Sequence, residues 1–285
     1  MRKVPDPLLE AGPNVLRMTR EGAMIYNRHD IYVGRSLDTL GEYSPGETDL
    51  FNRILAPGHT AIEVGANIGS QTVVLAKRVG THGKVHAFEP QQPLFELLCA
   101  NLALNGLLNT HAWNCAVDET SGFLAVPPTN YERGNNFGGI AMGPDGAKGH
   151  RVQAVRLDET IGAGQISEGG LRMIKLDVEG MELAVLKGAA SLITTHQPVI
   201  YAENNIQKKS PALIQWLLDA GYRLYWHLPF MFSKQNFYGS AENPFQDNAG
   251  NPILSVNVLA APSWLTVDRV DMKSISGPED WWRSS

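Results

Sequence analysis

Three groups of residues in this sequence have types and spacing suited to chemistry. The first is Glu63-Val-Gly-Ala-Asn-Ile-Gly69, an acid followed by Gly65, Ala66, Asn67 and Gly69, with Ser70 next. Glycines permit a tight turn, and a turn that opens a helix presents backbone N–H groups and the positive end of the helix dipole. That suits a nucleotide-like cofactor bearing a carboxylate. The second is Glu89, 24 residues after Gly65, at the end of the apolar run Lys84–Phe88 and followed by Pro90. Its two oxygens can accept from both hydroxyls of a ribose. The third is Ile174-Lys-Leu-Asp-Val-Glu-Gly180, where an apolar run ends in Asp177, with Glu179 and Glu182 beyond it. Glu179 and Glu182 read as caps of the helix that follows. Asp177 lies where α/β folds bind ligands, at the carboxyl end of a central strand.

Glycine spacing narrows the cofactor. A dinucleotide fingerprint needs G-x-G-x-x-G, and the corresponding positions are Gly65, Asn67 and Ser70, so only the first matches. A nicotinamide oxidoreductase is therefore disfavoured. Read as acid-x-Gly-x-x-x-Gly, the stretch from Glu63 to Gly69 resembles the first motif of S-adenosylmethionine-dependent methyltransferases. In that superfamily the acid faces the cofactor's amino acid end, and the glycines let backbone approach it. By analogy with that fold, Ala116 lies where backbone amides read an adenine edge.

These residues need a sheet to position them. From residue 60 onward, strands expected at 60–64, 84–88, 110–115, 171–176 and 197–202 alternate with helices at about 70–79, 92–105, 180–188 and 210–220. That alternation implies a parallel sheet with right-handed crossovers. Ahead of it, residues 1–59 form a lead-in: a small hairpin over 22–32 and an amphipathic helix from Thr48 to Leu55. Glu42, Tyr43 and Glu47 read either as a lid over the glycine turn or, for Glu47, as a first-turn acid. The stretch 120–158 is an insertion whose glycine-rich middle, 131–150, reads as a substrate loop or a surface excursion. Strand-like runs at 222–230 and 255–262 close the domain, which spans 60–262. Residues 263–285 form a tail that Trp281 and Trp282 would anchor.

The set Glu63–Gly69, Phe88-Glu89-Pro90, Ile174–Gly180 with Glu182, Val185-Leu-Lys-Gly-Ala189 and Pro198–Glu203 resembles the FkbM family of methyltransferases. The lead-in Gly41-Glu-Tyr-Ser-Pro-Gly-Glu47 is also similar to that family. One departure is Glu63, where the family more often has aspartate. The resemblance implies a class I, Rossmann-like doubly wound α/β sheet, mostly parallel with an antiparallel last strand. It also implies S-adenosylmethionine as cofactor and a small-molecule hydroxyl, on a sugar or natural product, as acceptor. Within this frame Asp177, Glu203 and Asn204 end neighbouring strands and offer oxygen ligands for Mg²⁺, as in cation-dependent catechol O-methyltransferases. The alternative is that Asp177 binds the cofactor's ammonium and Glu203 a backbone amide. The expected general base is His227, which ends an apolar strand beside Trp226 and would titrate near ~6.5. A surface histidine stacked on Trp226 is the bland reading, with Asp177 or Glu203 serving as base instead.

Composition sets outer bounds. The 285 residues are 43% hydrophobic, enough for one large α/β domain. A net charge of −5 without a basic run leaves no nucleic-acid footprint. No long apolar run or signal core is evident, so no membrane partner is expected. Cys99 and Cys115 lack metal or redox spacing. A cytoplasmic location is the expectation, and a homo-oligomer is compatible with it. An N- or carboxyl-methyltransferase of the same fold, or a cofactor-binding protein without turnover, stays open as an alternative.

Overall fold

The computed structural model describes residues 4–267 and 272–283. Its centre is an eight-stranded sheet. In chain order the strands are β1 (Thr60–Val64), β2 (Lys84–Phe88), β3 (Thr110–Trp113), β4 (Leu171–Leu176), β5 (Val199–Glu203), β6 (Arg223–His227), β7 (Asn257–Ala261) and β8 (Lys273–Ile275). Their spatial order is β3-β2-β1-β4-β5-β7-β6-β8. The first five are parallel, whereas β7 runs antiparallel between β5 and β6.

The apolar runs of β1, β4 and β5 are continuous because both faces of the sheet are covered. Successive side chains alternate between two cores. Ile62, Val64, Ile174, Leu176, Ile200 and Ala202 enter one core, while Ala61, Met173, Val199 and Tyr201 enter the other. Helices Ser70–Val79, Gln92–Leu104 and Ser210–Asp219 fall within two residues of the expected bounds. The reversal between β1 and β4 puts the ends of both strands and their loops at one switch point, the ligand site of open α/β sheets.

Several elements differ from the sequence reading. The hairpin expected over 22–32 is a three-stranded sheet, Leu9–Ala11, Asn14–Thr19 and Gly22–Asn27. Its tight turn is Arg20-Glu21, held by the Thr19 hydroxyl, which carries no glycine–asparagine signal. Residues beyond Asn27 lead instead to the helix Val33–Thr39. The expected third strand stops at Trp113, and Ala116–Val117 joins a separate four-stranded sheet. That sheet includes Gly122–Val126, Gly143–Pro144 and His150–Val155, so the insertion is folded at both ends. The tail is no appendage, because β8 pairs with β6 and Trp281 packs edge-on against Trp226 at 5.7 Å. No helix among the described residues is long and apolar enough to cross a membrane.

Candidate active site

A cavity of about 300 Å³ lies over the carboxyl ends of β1, β2, β4 and β5. Glu63, Gly65, Ala66, Asn67, Ser70, Glu89, Pro90, Ala116, Asp177 and Glu203 all line it. The sheet thus brings together residues up to 140 positions apart in the chain, from Glu63 to Glu203.

The glycine turn works differently from the sequence expectation. Its N–H groups are not free. Those of Gly65 and Ala66 donate to the Phe88 carbonyl, and that of Gly69 to the Ala66 carbonyl. The Asn67 N–H donates to Glu89 Oε2 at 2.8 Å, and the Ile68 N–H to Asn67 Oδ1. Gly65 is required by close approach, since a Cβ there would strike the Asp177 carbonyl. Gly69 lies outside the cavity lining. A Cβ on it would come 2.6 Å from Leu98 Cδ1, so the space it spares is filled by protein.

Glu89 holds the turn and the following loop together, accepting also from the Gln91 N–H at 2.8 Å. Burial pushes its carboxyl up to about 7. Glu63 is only 1% exposed, and both its oxygens are engaged. One accepts from the Thr72 hydroxyl at 2.6 Å, and the other lies 3.3 Å from Lys175 Nζ. Lys175 is the register partner of Glu63 across β1 and β4, and its Nζ is also 3.5 Å from Asp177 Oδ2. A lysine inside an apolar strand is the signal the sequence reading passed over.

Asp177, Glu179 and Glu203 form an acidic cluster with one carboxylate oxygen from each within 4.8 Å of the others. Glu179 and Glu182 are expected to cap a helix, but the helix Glu182–Gly188 has no side-chain cap, and Glu182 instead accepts from the Val178 and Gly180 N–H groups of the turn before it. Glu179 sits at φ +52° and turns into the cluster. Burial raises its carboxyl to about 7. Glu203 is raised well above its ordinary value by burial and by the charges of Asp177 and Glu179, and its Oε2 has no hydrogen-bond partner.

Two site expectations are corrected. Asn204 does not join the cluster: its side chain donates to the Ser210 hydroxyl, away from the cavity. His227 does end β6 on the ligand edge, but β7 intervenes, with Glu203, Asn257 and His227 in register. Two strand spacings put it about 10 Å from Glu203. Its Nδ1 is hydrogen-bonded to the Tyr201 hydroxyl at 2.8 Å, and burial lowers its pKa to about 4. Of the supposed lid, Tyr43 lines the cavity, Glu42 pairs with Arg20 at 2.6 Å, and Glu47 is buried against Asn257 and Gln71.

The strand order, the glycine turn at the switch point and the acid ending β2 define a class I methyltransferase fold. Residues 63–224, more than half of the chain, match the model of the methyltransferase FkbM domain. The chain belongs to the FkbM methyltransferase family. It is 32% identical over 155 residues to methyltransferase sdnD of Sordaria araneosa, covering 45% of this chain and 59% of that protein. It therefore spans less than two thirds of that relative's length. Among solved structures, methyltransferase FkbM from Methylobacillus flagellatus superposes with a TM-score of 0.47 at 15% identity, over 75% of this chain and 50% of that one. TYW2 of M. jannaschii in complex with AdoMet gives 0.44 at 13% identity, over 89% and 87%.

Proposed function

We propose that this protein is an S-adenosylmethionine-dependent O-methyltransferase acting on an uncharged, hydroxyl-bearing natural product. The observation that carries this reading is a single cavity lined by the glycine turn, Glu89 and Ala116 together with the three clustered acids Asp177, Glu179 and Glu203. The residues suit the cofactor. Glu89 keeps lone pairs for ribose hydroxyls, and the cavity's five acidic side chains against one lysine favour a sulfonium and an ammonium, whose charges draw those acids into their ionised forms. Bound there, the cofactor supplies an electrophilic methyl group.

The chain's own residues must then orient a hydroxyl and take its proton. Glu203 is the best placed, with an unpartnered oxygen and a raised proton affinity. The cavity is also walled by Met142, Met181, Met231, Ile253 and Leu254. Apolar walls and acidic polar groups favour a neutral, partly apolar alcohol and disfavour phosphorylated sugars and carboxylate acceptors.

Calorimetry with S-adenosylhomocysteine tests the cofactor. We expect one site per chain, and at least about tenfold weaker binding in Glu89→Ala, the worth of one hydrogen bond to a charged group. Absence of heat with the wild-type protein would overturn the reading. A second reading adds Mg²⁺, favoured by the three carboxylates within 4.8 Å of one another. Asp177, Glu179 and Glu203 would hold it as hard oxygen ligands, lowering the hydroxyl's pKa. Full turnover after exhaustive chelation would exclude this reading.

A further inference from the structure

Gln91 uses its hydrogen-bonding groups in three directions. Its backbone N–H donates to Glu89 Oε1 at 2.8 Å. Its side-chain Nε2 donates to the Phe137 carbonyl at 2.8 Å, and its Oε1 accepts from the Tyr131 hydroxyl at 2.9 Å. The side chain is 3% exposed and lines the cavity. One buried residue therefore joins Glu89, through its backbone N–H, to the segment 131–140 of the insertion, through its side-chain amide.

That segment forms a wall of the same cavity through Asn136, Gly138, Gly139 and Ile140. It lies directly on the glycine turn, since a Cβ on Gly138 would come 2.6 Å from Asn67 Nδ2. Its outer side is fastened to the N-terminal region. Asn27 Nδ2 donates to the Tyr131 carbonyl, while Asn135 exchanges backbone hydrogen bonds with His29 and Ile31. Phe137 is fully buried in the core beneath the N-terminal sheet and stacks obliquely on Tyr131 at 4.9 Å. Gln91 is thus the cavity-side fastening of a segment otherwise held from outside.

We propose that Gln91 is a positioning residue that clamps segment 131–140 as a roof over the cofactor end of the cavity. It rests on the S-adenosylmethionine reading above. Lifting the roof from the Asn67 turn would leave both polar ends of the Gln91 side-chain amide without their protein partners. Because the same residue's N–H orients Glu89, ribose recognition and roof position are coupled through one residue.

The test compares wild type, Gln91→Ala, Gln91→Glu and Tyr131→Phe. Two readouts need no acceptor: the dissociation rate of S-adenosylhomocysteine, and tryptic cleavage after the exposed Arg133 in the roof. We expect S-adenosylhomocysteine to protect Arg133 in the wild type. Gln91→Ala should speed dissociation at least about tenfold and lose most of that protection. Tyr131→Phe removes one of the two side-chain bonds and should fall between, which keeps the test alive if Gln91→Ala folds poorly. Gln91→Glu keeps the acceptor for Tyr131 but loses the donor to Phe137, and should also fall between. Normal wild-type binding with unchanged dissociation and protection in all three variants would overturn the clamp alone. No binding by the wild type would instead overturn the cofactor reading, and the clamp with it.

Discussion

At the scale of single residues, His227 and Glu203 differ in their surroundings. Both end strands on the ligand edge, yet only Glu203 lines the cavity. A histidine lowered to about 4 and tied to Tyr201 is a weak base, whereas Glu203 presents a free oxygen with raised proton affinity. Proton abstraction by a placed base contributes roughly 10²–10⁴-fold. Glu203→Gln should therefore slow single-turnover methylation about a hundredfold or more while S-adenosylhomocysteine affinity stays within about threefold. His227→Ala should change the rate less than about threefold. The reverse ranking in rapid-quench measurements would return the role to His227.

At the scale of elements, the ends of β1, β4 and β5 carry a polar row on one sheet face. Glu63, Lys175 and Tyr201 are successive register partners there. Lys175 holds two carboxylates at once, and burial of both partners makes the pair costly to break from one side. The expected loss for Lys175→Met is about 3–5 kcal/mol, because Glu63 is left buried and unpaired. Lys175→Met combined with Glu63→Gln should recover most of that loss, since no charge is then stranded. Urea unfolding of the apoprotein measures both. A single variant as stable as wild type would show that the pair holds little.

At the scale of the whole molecule, burial of titratable groups around one sheet edge sets the pH response. Glu47, Glu89 and Glu179 are each raised from 4.5 to about 7 by burial, while His227 is lowered from 6.5 to about 4. The folded chain therefore holds glutamate protons that the unfolded chain has released between those pH values. Their stabilising contribution is complete below 4.5 and lost as pH rises through about 7. His227 opposes this, costing stability as pH falls below 6.5. Three carboxyls outweigh one imidazole, so the apoprotein should have a higher Tm at pH 6 than at pH 8. A Tm that is equal or higher at pH 8 in calorimetric scans would contradict these shifts.

What the sequence alone determined is local or follows from strand alternation. Apolar runs ending in glycine or acid fixed β1, β2 and β4 to the residue. A parallel sheet then puts the ends of its strands on one edge, so Glu63, Gly65, Glu89, Asp177 and Glu203 were legible as one site. The tertiary structure alone decided which of their atoms are free. Glu179 joins the acids through a left-handed backbone turn, and Asn204 leaves them for Ser210. Insertion of β7 between β5 and β6 removes His227 from the cavity. Gln91 becomes a clamp only because residues 131 and 137 return to it from 40 or more positions away. Such pairings depend on how loops cross in space and which buried polar groups find partners there, and neither property has a period or a spacing in the chain.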